Sequence, residues 1–284
     1  MVISKTILAI DIGTSSLKAG LIDENGCVLA FERERFIKES PEKMWLDAFC
    51  LCVKKIFQKQ NHETPSAISI SGNGPTLAFL HKTKEEKNTA DILLWNEKLN
   101  ESSKTKKYKG NSLFLPRILS YFASFSDSLK TVEKLRSIQK IFSGPEYLVW
   151  QLTGIAHTLL PEPRFQTAYW TDEELETYNI AKLLMPPFIT LGEQSGTLKE
   201  SFFSIFSKKS NQNGKLKIPV FCAGPDFTSA LIGTNTLESG LICDRAGSSE
   251  GFNLCTKWPL FSAIPQENSP IYTQIRNLPN VLHL

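Results

Sequence analysis

The chain has 284 residues, which suits one large domain or two ordinary ones. Hydrophobic residues make up 41% and charged residues 21%, a globular composition that excludes disordered, collagen-like and coiled-coil chains. The 32 basic and 29 acidic side chains leave a net charge of +3, so we expect no nucleic-acid partner.

The six cysteines have no Cys-x-x-Cys spacing, and we expect them to be reduced and mostly buried. The apolar run 7–10 is too short for a signal peptide, and no stretch reaches the roughly 18 apolar residues of a membrane span. These features predict a cytoplasmic protein without membrane contact.

The chain opens with a predicted meander of three antiparallel strands. Apolar runs at 7–10 and 17–22 flank the small-residue turn 13–16, which is typical of a hairpin. Asn25-Gly26 marks the next turn, and 27–36 alternates as a third strand.

A helix is predicted after Ser40-Pro41-Glu42, which has the composition of a helix start. Its apolar face is expected to comprise Met44, Trp45, Ala48, Phe49, Cys52, Ile56 and Phe57. A short strand at 67–70 follows, and then a hairpin of 77–80 and 92–95 with the charged loop 82–87 at its tip.

The rest of the chain is predicted to be an inserted helical region over 112–184 and then a return to strands. Strands are expected at 218–223, 240–245 and 251–255, with a helix from Asp226 to Leu231. The last 28 residues, from Lys257, show no clear period, and the basic runs 104–109 and 208–217 indicate solvated surface. The order indicates an α/β protein.

The first candidate site is the hairpin that begins at Asp11. Its carboxylate ends a strand beside Gly13, Thr14, Ser15 and Ser16, whose amides and hydroxyls suit an anion, and Lys18 follows. A carboxylate can hold Mg²⁺, and a lysine can neutralise a transferring phosphoryl group. The alternative is a plain polar turn in which Gly13 supplies a positive φ.

The second candidate is Asp226, which follows Gly224-Pro225 where a strand passes into a helix. The helix dipole favours an ionised carboxylate there, which could accept a hydroxyl proton. The alternative is an N-cap aspartate. The turn Gly247-Ser248-Ser249 is a weaker candidate. The chain lacks a P-loop, and Leu77 breaks a Gly-x-Gly-x-x-Gly match after Gly72.

Six short motifs, in order, resemble those of the FGGY carbohydrate kinases over roughly residues 6–256. They are Ile10 to Lys18, Ile68 to Gly72, Ile92 to Glu97, Glu146-Tyr147-Leu148 with Leu152-Thr153-Gly154, Ala223 to Asp226, and Gly247 to Glu250.

The resemblance implies a ribonuclease-H-like fold of the actin and hexokinase type. Such a fold has a mixed five-stranded sheet, helices on both faces and an inserted helical region. Residues 1–256 would form the N-terminal, sugar-binding domain with the phosphate hairpin. Residues 257–284 would be an irregular tail leading toward a C-terminal ATP-binding domain that this chain lacks.

The resemblance also implies ATP-dependent transfer of a phosphoryl group to a sugar or polyol, with ATP and Mg²⁺ as cofactors. Asp226 would be the general base and Asp11 the Mg²⁺ ligand. ATP phosphate would be bound by Asp11, Gly13, Thr14, Ser15, Lys18, Gly247 and Ser248. Substrate would be bound by Gly72, Asn73, Gly74, Pro75, Trp95 and Glu97, together with Asp226.

Two segments depart from the family pattern and leave the substrate open. Asn73-Gly74-Pro75-Thr76 replaces Gln-Met-His-Gly of xylulose-kinase-like members, and Trp95-Asn96-Glu97-Lys98-Leu99 replaces Trp-x-Asp-x-Arg. Because family members are about twice as long, a separate kinase domain or self-association is expected. The alternatives are a non-catalytic sugar-binding or regulatory remnant and an actin-fold phosphotransferase acting on a non-sugar.

Overall fold

The computed structural model describes residues 5–37, 42–60, 63–82, 85, 88–99, 108–125, 129–161, 163–206, 217–246, 250–256, 272–273 and 280–283. The chain divides into two compact units, residues 1–224 and residues 225–284. The predicted domain boundary at residue 256 stays a prediction.

The first unit contains eleven strands within the described residues. They are β1 (Thr6–Ile12), β2 (Ser16–Asp23), β3 (Val28–Arg35), β4 (Ala67–Gly72), β5 (Leu77–Lys82), β6 (Asn88–Leu93), β7 (Ile138–Ser143), β8 (Thr158–Leu160), β9 (Phe188–Thr190), β10 (Gly196–Thr197) and β11 (Pro219–Pro225), the last of which ends at the boundary.

The helices of the first unit are α1 (Met44–Gln60), α2 (Leu115–Ala123), α3 (Leu129–Arg136), α4 (Gly144–Thr153), α5 (Gln166–Tyr169) and α6 (Asp172–Thr177). Short 3₁₀ turns occur at Pro163–Phe165, Lys182–Leu184 and Glu200–Ile205.

The main sheet has the strand order β10-β11-β4-β1-β2-β3. Strand β1 pairs antiparallel with β2 and parallel with β4, so the sheet is mixed. The predicted five strands are present, and the two-residue strand β10 extends one edge. The predicted meander of β1, β2 and β3 is confirmed.

One face of this sheet carries the larger core of the unit. Leu8, Ile10 and Ile12 alternate along β1 and are buried, because successive strand side chains point to opposite faces. Helix α1 covers β2 and β3, and all seven side chains of its predicted apolar face are buried. The start predicted at Ser40-Pro41 lies outside the described residues.

A second sheet, of order β6-β5-β7, supports a smaller core. The predicted hairpin of β5 and β6 forms, with Leu77 paired to Leu93, but its second strand is Asn88–Leu93 and not the predicted 92–95. The segment 112–184, predicted as an inserted helical region, contains helices α2 to α6, but it also contains the strands β7 and β8, which were not predicted. Strand β7 forms where β5 offers an open edge, and this long-range pairing decides the conformation of its apolar residues.

The second unit begins with helix α7 (Asp226–Gly233). Strands β12 (Ile242–Ala246), β13 (Glu250–Thr256), β14 (Tyr272–Thr273) and β15 (Asn280–His283) form a sheet of order β12-β13-β15-β14. Leu231 and Cys243 form a small buried apolar cluster in this unit, with Phe227 packed against them. Part of the tail that was expected to be irregular is therefore two short strands.

The predicted state of the cysteines is confirmed. All six are free, and four of them are buried. In the described part of the chain, no helix is both long enough and apolar enough to cross a bilayer. Most of the basic runs 104–109 and 208–217 lies outside the described residues.

Glu146 is a buried carboxyl group in the first turn of α4, with 3% of its surface exposed. Its Oε1 accepts a hydrogen bond of 3.0 Å from the Leu159 amide, while its Oε2 has no partner among the described residues. Burial raises the pKa of this carboxyl from 4.5 to about 7, and backbone hydrogen bonds, the Leu159 amide among them, oppose the shift. Leu159 in turn packs against Gly224, where an added Cβ would lie 2.7 Å from its Cδ2.

The raised pKa of Glu146 predicts a pH-dependent stability. The neutral carboxyl favours the folded state, so its contribution is present below pH 4.5 and is lost as the pH rises to about 7. Glu146→Gln should remove this loss. In urea unfolding, the stability of the variant relative to wild type should rise by about 3 kcal/mol between pH 4.5 and 7. A difference that does not change with pH would contradict this, with the exposed Glu24→Gln as control.

Candidate functional site

Asp11 and Lys18 form an ion pair beside the turn of the first hairpin. They are register partners in β1 and β2, and the Lys18 ammonium donates to Asp11 Oδ2 over 2.8 Å. Their side chains are 39% and 43% exposed, and an ion pair this open adds little to stability. Both charges therefore remain accessible to a ligand.

The turn between these two residues is closed by a backbone hydrogen bond. The Gly13 amide donates to the Ser16 carbonyl over 3.0 Å, so this amide is not available to an anion as the hairpin stands. Gly13 is also not among the glycines with positive φ, so the interpretation that it only supplies such a φ is wrong. A phosphate contact from this turn would have to come from Thr14 or the exposed Ser15.

The Thr14 hydroxyl joins three distant segments of the chain. Its Oγ1 accepts a hydrogen bond of 3.0 Å from the Trp95 indole and one of 3.3 Å from the Asn73 side-chain amide. Thr76 donates to Asn73 Oδ1 over 3.0 Å and accepts from the Trp95 backbone amide over 3.1 Å. We call these four residues, Thr14, Asn73, Thr76 and Trp95, the Thr14 network.

The strand ends of β1 and β4 bring this network together. The Asn73 amide donates to the Ile12 carbonyl over 2.9 Å, which continues the parallel pairing by one residue. Gly72 permits the close approach, because a Cβ there would lie 2.9 Å from the Ile12 Cβ and 3.5 Å from Pro145 Cδ. The hairpin predicted to hold phosphate and the segment predicted to hold sugar are thus adjacent where strands β1 and β4 end.

The remaining predicted substrate residues border the network. Gly74 is exposed and Pro75 is half-buried, between Asn73 and Thr76. Glu97 is exposed, and its Oε1 accepts a hydrogen bond of 3.0 Å from the Leu94 amide.

Three other predicted site residues belong to the second unit. Asp226 is the first residue of α7 and is half-buried. Gly247 and Ser248 lie outside the described residues. That Asp11 lies close to Asp226 and to the Gly247-Ser248 turn stays a prediction.

Sequence reasoning missed the roles of Thr76 and Arg117. Thr76 is fully buried and holds both Asn73 and Trp95. Arg117 is buried in α2 and donates to the carbonyls of Leu94 and Trp95. The sequence feature that could have identified Arg117 is its position as a single basic residue inside an apolar helical run, beside Ile118 and Leu119.

Asp11 fits a magnesium ion of the kind that phosphate-transferring proteins use. Mg²⁺ there is usually held by one or two carboxylates, with water and phosphate oxygens completing the octahedron. The described residues contain no cluster of three or more His, Cys, Asp or Glu side chains that could hold a metal alone. The exposed Asp11 carboxylate suits the first arrangement and not a closed protein cage.

Comparison with known proteins identifies the family of this chain. Residues 6–233 match the model of the FGGY family of carbohydrate kinases, N-terminal domain. A glycerol kinase of Mycoplasma capricolum is 24% identical over 84% of this chain and 52% of its own length. A xylulose kinase of Staphylococcus xylosus is 25% identical over 73% of this chain and 47% of its own length.

Solved structures share the fold. The chain matches a ligand-bound xylulose kinase of Lactobacillus acidophilus with a TM-score of 0.74 at 18% identity, over 98% of this chain and 59% of that one. It matches a Plasmodium falciparum glycerol kinase with ADP with a TM-score of 0.74 at 16% identity, over 99% of this chain and 60% of that one. The chain spans about half the length of the curated relatives it matches. By its sequence match and its fold, the chain belongs to the FGGY family of carbohydrate kinases, whose N-terminal domain it contains.

Proposed function

We propose that the protein takes part in transfer of the γ-phosphoryl group of ATP to a hydroxyl of a sugar or polyol. Family membership and the kinases among its curated relatives support this proposal. The observation that carries it is the Thr14 network, because it links the hairpin expected to hold phosphate to the two segments expected to hold the acceptor.

In the proposed reaction, the Asp226 carboxylate accepts the proton of the acceptor hydroxyl while that oxygen bonds to the γ-phosphorus. The bond from the γ-phosphorus to the oxygen it shares with the β-phosphate breaks, and ADP leaves. Asp226 begins α7, where the positive end of the helix dipole favours the ionised carboxylate.

The first hairpin would align and neutralise the phosphates. Lys18 would exchange its contact with Asp11 for a phosphate oxygen, and Asp11 would hold Mg²⁺, whose charge offsets that of the phosphates when bound. The Thr14 oxygen accepts from Trp95 and Asn73, which leaves its own hydrogen to donate. Alignment and charge neutralisation are the main requirements of phosphoryl transfer.

The role of Asp226 predicts a loss of turnover in Asp226→Asn. The assay measures phosphorylated product from a panel of sugars and polyols with MgATP, using this chain alone and with a family C-terminal domain supplied in trans. Removing the base should lower turnover by about a hundredfold or more. Asp244→Asn is the matched control, because Asp244 is an exposed aspartate of the same unit. Full turnover by Asp226→Asn would show that Asp226 is not the base.

A second candidate function is a non-catalytic sugar-binding or regulatory module. The departure of Asn73-Gly74-Pro75-Thr76 from the family pattern favours it, as does the match to only about half the length of the curated relatives. Sugar binding detected by calorimetry would support the module if this chain shows no turnover, either alone or with the C-terminal domain in trans. ATP turnover that no polyol stimulates would instead indicate an actin-fold phosphotransferase acting on a non-sugar.

A further inference from the structure

The segment 94–97, here called the Trp95 loop, is a tight turn after β6. The Glu97 amide donates to the Leu94 carbonyl over 3.0 Å, and the Leu94 amide donates to the Glu97 side chain over the same distance. On one side, the Trp95 amide and indole donate to Thr76 and Thr14. The backbone amide and the indole N–H of Trp95 are therefore both paired with side chains of other segments.

Arg117 binds the acceptor side of the same loop from helix α2. Its Nη1 donates to the Trp95 carbonyl over 3.0 Å, and its Nη2 donates to the carbonyl of the preceding residue, Leu94. The guanidinium is a rigid planar fork, so two successive carbonyls held by its two ends lose freedom to rotate. The Trp95 peptide groups are thus bonded from both sides.

Burial of the Arg117 cation costs desolvation free energy, and the packing of α2 does not require a cation at this position. Arg117 is 6% exposed, and the two carbonyls are its hydrogen-bond partners among the described residues, with Nε left unpartnered. Burial lowers the pKa of the guanidinium, and the charge of Glu97 opposes this shift. An apolar side chain would fill the same position in the apolar face of α2 without that penalty.

We propose that Arg117 is a positioning residue for Trp95. It holds the carbonyls of the Trp95 loop so that the indole N–H meets the Thr14 hydroxyl and the half-buried ring keeps one orientation at the site. That the ring then contacts the acceptor rests on the proposed function, whereas the positioning of Trp95 itself does not.

The test measures the environment of Trp95 in the 284-residue chain without any ligand. Because the chain has five tryptophans, the Trp95 signal is the difference between each protein and its Trp95→Phe counterpart. In Arg117→Met, we expect red-shifted Trp95 emission and an acrylamide quenching constant that rises about twofold or more, because the loop loses its acceptor-side contacts. Arg117→Lys should retain part of the wild-type signal, since an ammonium group can still donate to a carbonyl but lacks the planar fork.

Arg136→Met is the matched control, because Arg136 is an exposed arginine at the end of the next helix. It should leave the Trp95 signal unchanged. An unchanged Trp95 signal in a folded Arg117→Met protein would overturn the proposal. If Arg117→Met does not fold, Arg117→Lys decides, and a wild-type emission and quenching constant in that variant would overturn it.

A second arm connects this residue to binding. With any sugar that calorimetry shows to bind, Arg117→Met should weaken the affinity about tenfold, while Arg136→Met should not. Equal affinity of wild type and Arg117→Met would overturn the role in substrate positioning. Failure of every protein to bind a sugar would count against the proposed function and leave the fluorescence result on Trp95 intact.

Discussion

The candidate site depends on one oxygen atom, the hydroxyl of Thr14. It uses both acceptor positions, one for the Trp95 indole and one for the Asn73 amide, which come from loops 81 and 59 residues further along the chain. Buried polar groups such as the Asn73 amide need partners, because a buried donor left unpaired costs about 1–3 kcal/mol. The first hairpin therefore cannot move away from either loop without leaving donors unsatisfied.

The surrounding fold makes this meeting of loops possible and holds it from outside. The parallel pairing of β1 with β4 ends at Gly72, where the absence of a side chain lets the two strand ends approach. Arg117 then binds the far side of the Trp95 loop from α2, on the second core. Helix, second sheet and main sheet thus contribute to one small network, while Asp11 and Lys18 stay open to solvent beside it.

The sequence predicted those features that local pattern determines. Apolar runs on either side of a small-residue turn predicted β1 and β2, and alternation predicted β3. Helical spacing predicted the buried face of α1, including Trp45 and Phe49. It did not predict β7, whose apolar residues Ile138, Ile141 and Phe142 also fit a helical face until β5 supplies a pairing edge.

The sequence predicted several residues of the candidate site, but it did not predict the hydrogen bonds that join them. Thr14, Asn73 and Trp95 were identified separately, Thr14 for phosphate and the other two for substrate, and their shared hydrogen bonds join positions too distant in sequence for any local pattern. Arg117 was missed because a basic residue in a helix ordinarily faces water, and only the tertiary structure supplies the two carbonyls that it binds. A double-mutant cycle of Thr14→Val and Trp95→Phe, measured by urea unfolding, tests the network most directly. The shared hydrogen bond predicts a coupling free energy of about 1 kcal/mol, and effects that add to within about 0.3 kcal/mol would contradict it.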